Sequence, residues 1–328
     1  LDATTGNITG AGALTLNAAA GVTLNDSLTT AGATVIDADT DDNGAGTFTL
    51  AASKALSTTA NTLSITADDI ALSGTVNTAG STTTLLVSDG GTIGLGATAG
   101  NMTISGAELQ NITTTSLVIG DTTSGNITVD GITAANSNNI SGTVTLNATA
   151  AGASLSFSNT ASTFNAVTAN ADNRISVNAD LTADAGHLRL EGDADNAADG
   201  NDDIRFAAGV TVTAANTLFL DATTGGMTGL GALTLNAGNG ISLPDNLTTA
   251  GATVIDADTN DNGSGTFSIS AAKALSTTGN TLSITADDIT ITGTINSGAA
   301  ATTILVSDGG TIGLGATAGN MTISGAEL

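Results

Sequence analysis

Acidic side chains are the residues of this 328-residue chain whose type and spacing could do chemistry. In the segment DADTDDNG, Asp37, Asp39, Asp41 and Asn43 alternate before Gly44. Asp39, Asp41 and Asn43 reproduce the oxygen spacing of a D-x-D-x-N-G calcium loop, in which alternate side chains converge on one cation and glycine permits the sharp turn. Asp256, Asp258, Asn260 and Asn262 repeat the pattern ahead of Gly263. The bidentate Glu of a complete EF-hand loop is missing, because Leu50 stands at that position. A third cluster, EGDADNAADGNDD from Glu191 to Asp203, packs Asp193, Asp195, Asp199, Asp202 and Asp203 into one loop, with Asp193, Asp195 and Asp199 as its candidate ligands. Two readings stay open for all three: solvated surface loops, or weak calcium sites of the millimolar kind found in extracellular modules.

Other chemistries find little to work with. The chain has no Cys, Trp or Tyr, so disulfides, zinc-thiolate sites and cysteine nucleophiles are excluded, and six Phe cannot furnish a stacking platform for sugars or bases. Thirty acids against five bases give a net charge of −25, which removes the basic footprint needed for nucleic acid or anionic lipid. The bases are Lys54, Arg174, Arg189, Arg205 and Lys273, and His187 is the single histidine. A lone His in a turn is more often solvated than catalytic, and the three Arg lie among carboxylates they can pair with. We expect no enzyme, no nucleic-acid partner and no cofactor besides the possible calcium.

The elements that must carry these loops follow from repetition. LDATTGNITGAGALTLNA at Leu1 returns as LDATTGGMTGLGALTLNA at Leu220, and the register holds without a gap, giving a period of 219 residues with 83 identities in 109 overlapping positions. Where the copies differ, apolar positions exchange within their kind, as with Val22 and Ile241 or Leu85 and Ile304. Such exchanges conserve volume, as a packed interior requires. Residues 1–219 therefore form one full copy and 220–328 the first half of a second, read as one continuous solenoid. The chain opens without Met, a signal peptide or an apolar stretch of 18 residues, which suggests a window from something longer.

Within the long period lies a shorter one. Aliphatic pairs at alternate positions recur as Leu14/Leu16, Leu63/Ile65, Met102/Ile104, Leu117/Ile119, Val144/Leu146, Ile175/Val177, Leu188/Leu190 and Leu218/Leu220. Period two with a mostly polar residue between marks strands with one buried face, and helical spacing is absent. Gly, Asn, Asp and Ser punctuate the runs with turn chemistry. The expected fold is all-β: a parallel β-helix or solenoid of about 20–22 residues per coil, drawn out into a rod, with Leu, Ile and Val stacked inside and Thr, Asn and Ser in ladders outside.

Segments such as GALTLNAAAGVTLNDSLTTAG, NTLSITADDIALSGTVNTAG and SGTVTLNATAAGASLSF resemble the β-helical repeats of filamentous haemagglutinin-type bacterial exoproteins. That resemblance implies a right-handed parallel β-helix, export to the bacterial cell surface, and a role in adhesion, biofilm or surface coats. The N-terminal secretion domain of that family is not in this sequence. The reading that follows is a segment of an extracellular structural fibre or surface coat whose partners are further copies of the same repeat, in the same chain or in end-to-end or lateral assembly. The alternative is the stalk of a secreted adhesin, and a polysaccharide-acting β-helix enzyme comes third.

Overall fold

The computed structural model describes residues 1–3 and 6–328. Its chain forms thirty-nine short strands among the described residues, and the registered pairings between them are parallel. Most strands adjacent in sequence lie in different sheets and pair one coil on, whereas Ile93–Gly96 pairs with its neighbour Met102–Ile104, and Ile312–Leu314 with Met321–Ile323. This is a parallel β-solenoid. Its strand contacts group into two compact units, Leu1–Ser156 with Ala161–Asn170, and Phe157–Thr160 with Ala171–Leu328.

In the first unit, Leu14–Asn17, Thr34–Asp37, Leu63–Ala67, Thr82–Val87 and Ser116–Ile119 stack as one face. Ile8–Gly10, Leu28–Thr30, Ala55–Ser57 and Thr75–Asn77 make a second. Val22–Leu24, Thr47–Leu50 and Asp69–Leu72 make a third. The second unit repeats the three faces strand for strand. Leu233 pairs with Thr253 as Leu14 does with Thr34, and Phe267 with Ile289 as Phe48 does with Ile70. Near-identical sequences therefore reach the same register twice. The sequence period restarts at Leu220, inside the strand Leu218–Asp221.

Coil length varies more than a 20–22-residue spacing suggests. Leu14 meets Thr34 and Leu63 meets Thr83, both steps of 20 residues, whereas Thr34 to Leu63 takes 29 and Thr83 to Leu117 takes 34. The face strands set only the register, so corners can absorb insertions. The 29-residue step contains the DADTDDNG loop, and the 34-residue step contains the helix Gly106–Gln110. That helix and Ala134–Ser137 are single turns closed by capping boxes, Ser105 with Glu108 and Thr133 with Asn136. Single turns are too short to leave a helical period in the sequence. Glu108 also accepts a hydrogen bond from the Leu72 amide at 3.0 Å, satisfying a donor at the margin of the third face.

The interior is mostly aliphatic. Seven of the eight alternating pairs are buried, and Leu14/Leu16, on an edge strand, is half-buried. Five of the six Phe, at 48, 157, 164, 206 and 267, are fully buried, so the coil accommodates a phenyl ring at selected positions. Threonine is not confined to the outside. Thr30 and Thr34 are buried with their hydroxyls 2.7 Å apart, and Thr249 and Thr253 repeat the pair at 2.6 Å. The hydroxyls satisfy one another and the Gly32 or Gly251 carbonyl, which removes the penalty for burying them. Outside, Asn262 donates to Asn239 at 2.8 Å and Asn239 to Asn216 at 2.9 Å, an amide ladder climbing three coils.

Candidate functional site

Parallel stacking places equivalent corners one above another, so acids that are remote in sequence share a corner. Asp39 turns inward and is fully buried. One of its carboxylate oxygens accepts from the Ser88 hydroxyl at 2.6 Å, from a residue 49 positions on, and more weakly from the Gly44 amide at 3.3 Å. The Ser88 bond foremost holds the Asp39 carboxyl below its ordinary range, against the opposing effect of burial. Asp258 and Ser307 repeat the contact at 2.6 Å. Asp41 and Asn43 instead face solvent, hydrogen-bonded to each other at 2.9 Å, and Asp37 accepts from the Asp39 amide. The four alternating residues therefore do not close on a single point. In the second copy Asp256 accepts from the Asp258 amide, the side chain of Asn262 joins the amide ladder, and Asn260 is exposed.

What gathers near Asp39 is Asp68 and Asp89, which the spacing within one loop does not reveal. A β-carbon on Gly44 would stand 3.4 Å from Asp89 and 3.9 Å from Asp68, and one on Gly263 would stand 3.5 Å from Asp308 and 4.0 Å from Asp287. Partial desolvation, then the charge of Asp39, pushes the Asp68 and Asp89 carboxyls upward, and partial desolvation followed by the charge of Asp258 does the same to Asp308. The signal available in the sequence was recurrence, since TADD and VSDGG return unchanged 219 residues on.

The sign of the effect on stability follows. An acid whose folded pKa is raised contributes most below its unfolded pKa, and that contribution is lost as pH rises through the raised value. Asp89 also holds a left-handed backbone, φ 58°, which Asn tolerates well. Asp89→Asn is therefore expected to raise the thermal midpoint at pH 7 in EDTA, with the gain shrinking at pH 3 or in 0.5 M KCl. Thermal melts at the two pH values check this, and a lower midpoint at pH 7 contradicts it.

The third cluster lies in the second unit. Asp193 and Asp202 are buried, and Thr224 holds both: its amide donates to Asp193 at 2.7 Å and its hydroxyl to Asp202 at 3.4 Å. Asp195 and Asp199 are exposed, and the charge of Asp195 foremost raises the Asp199 carboxyl. Glu191, buried beside Asp221, is pushed up to about 7 by burial foremost, although Arg189 reaches it at 2.7 Å. Among the described residues, Asp39, Glu191, Asp193 and Asp202 each leave one buried carboxylate oxygen without a hydrogen-bond partner. No three His, Cys, Asp or Glu side chains among the described residues are gathered closely enough to hold a metal by themselves.

Four of the five Lys and Arg side chains have ion-pair partners among the described residues. Lys54 pairs with Asp26 at 2.6 Å, and Lys273 repeats the pair with Asp245, each reaching across one coil step. Arg174 grips Asp203 through two hydrogen bonds of 2.6 and 3.0 Å. Arg189 lies 4.5 Å from the centre of the Phe219 ring and pairs with Glu191. Arg205 is exposed, with no ion pair among the described residues. His187 bonds Thr217 through Nδ1 at 2.6 Å and meets Asn216 through Nε2 at 3.3 Å, at the foot of the amide ladder. A shallow groove of about 290 Å³ is lined by Phe219, Asn239, Ser242 and Ser268 among others, and those residues place no carboxylate in it. No helix among the described residues is long and apolar enough to cross a membrane. Comparison of the chain with family models, with curated proteins and with solved structures finds no match.

Proposed function

We propose that the chain is a length-building segment of an extracellular structural fibre or surface coat of a bacterium, extended by adding copies of its 219-residue unit. The observation that carries this reading is the strand-for-strand recurrence of register in the two copies, from Leu14/Thr34 with Leu233/Thr253 to Phe48/Ile70 with Phe267/Ile289. Each added coil contributes backbone hydrogen bonds and buries another slice of the aliphatic stack, so length and stability grow together. An exterior of Thr, Ser and Asn with a net charge of −25 keeps such segments soluble and mutually repelling.

Chains carrying one, two and three copies of residues 1–219 test this by small-angle scattering. The maximum dimension is expected to grow in equal steps, at about 4.8 Å per coil. Growth with the cube root of mass would contradict the reading. Antibody labelling of intact, unpermeabilised source cells tests the extracellular placement. A bound ligand mapped to a separate, non-repeated domain of the same polypeptide would favour an adhesin stalk instead.

A further inference from the structure

We propose that the corner formed by Asp193, Asp202 and Thr224 binds one divalent cation, calcium by its chemistry, and thereby fastens the 193–202 loop to the next coil. This goes beyond the length-building reading and stands on two buried carboxylates. Asp193 is 0% exposed and Asp202 4%, and each spends one oxygen on Thr224 while the other is buried without a partner. The partnered oxygen of Asp202 also accepts from the Asp199 and Gly200 amides at 3.2 and 3.1 Å. The loop's own donors are therefore spent on one side of the carboxylate, leaving the other side bare. Its bare oxygen lies 3.0 Å from where a β-carbon on Gly200 would stand, and the Asn173 carboxamide oxygen, a further oxygen donor, lies 2.4 Å from the same point.

Two carboxylates tied to one threonine crowd their oxygens together, and a buried carboxylate oxygen with no donor or cation carries a large desolvation cost. Arg174 is committed to Asp203, Arg189 to Glu191 and Asp221, and Arg205 is exposed with no ion pair to either carboxylate among the described residues. The donors are all oxygen, which selects a hard cation. Two carboxylates on an irregular loop, completed by loop carbonyls and water, suit calcium's flexible coordination better than the strict octahedron of magnesium. Asp195 and Asp199, exposed at the mouth, add attraction for a cation approaching from solvent.

The test uses the full chain, stripped with EDTA and titrated with CaCl2 in 0.15 M KCl by calorimetry, with amide NMR shifts recorded in parallel. Saturable binding with a Kd of about 0.1–1 mM is expected. The shifts should centre on residues 191–203 and Thr224, and Tm should rise by about 2–5 °C at ten times Kd. Asp193→Asn and Asp202→Asn should each weaken binding at least tenfold, and MgCl2 should bind at least tenfold more weakly than CaCl2. Shifts centred on other residues would overturn the proposal, and that readout needs no variant to fold. So would a Tm rise reproduced by KCl at equal ionic strength, or binding unchanged in Asp202→Asn. None of these outcomes alters the expected growth of length with copy number.

Discussion

Replacing Gly96 by Ala is expected to cost about 3–5 kcal/mol, whereas the same change at Gly209 should cost about 1 kcal/mol. Both glycines hold a left-handed backbone, φ 93° and φ 83°. Any L-residue pays for that conformation, and this sets the smaller figure. Gly96 carries a second burden, because its added β-carbon would stand 2.1 Å from the Asp130 carbonyl oxygen of the next coil, while Gly209 has nothing within 4 Å. That carbonyl accepts the Ala97 amide at 2.8 Å, so it cannot retreat without breaking the ladder. The pair forms an internal control, since the two glycines share a positive φ and differ in what an added β-carbon would meet. Urea unfolding followed by far-ultraviolet circular dichroism measures both variants. Equal losses would show that coil-on-coil contact does not set the demand for glycine at position 96.

Phe48→Ala is expected to cost about 3–5 kcal/mol, and Phe48→Leu less than about 1.5 kcal/mol. Phe48 is fully buried, paired with Val22 on one neighbouring coil and Ile70 on the other. Truncation leaves a cavity that two parallel ladders prevent from collapsing, because closing it would require neighbouring strands to approach more closely than their hydrogen bonds allow. Thr49, the next residue, points outward and pairs with Thr23 and Ala71, so Thr49→Ala should stay within about 0.5 kcal/mol of the parent. Unfolding midpoints of the three variants give the comparison. A Phe48→Ala loss no larger than that of Thr49→Ala would contradict a packed interior at this position.

Much of the fold was legible because a solenoid stacks like on like. Period-two alternation told which side chains face inward, and the pairs from Leu63/Ile65 to Leu218/Leu220 are buried accordingly. The 219-residue duplication foretold that Lys54 and Lys273 share a role, and both pair with an Asp one coil away. Coil length was less legible, because corner insertions such as the DADTDDNG loop leave the strand pattern untouched. Buried Thr30 and Thr34 escaped a pattern that counts threonine as polar, since their satisfaction depends on meeting each other across a corner.

The acidic corners divide the same way. Local spacing drew attention to Asp39 and Asp193, and both are among the buried carboxylates with an unpartnered oxygen. It could not show that Asp39 meets Ser88, or that Asp202 rather than Asp195 or Asp199 joins Asp193 at Thr224. By itself the sequence determined a parallel, aliphatic-cored coil with small-residue corners, because alternation and repetition act along the chain. Only the tertiary structure decided which corner residues meet, because those neighbours are separated by whole coils of variable length. Proximity across such a gap depends on the register of every strand between them.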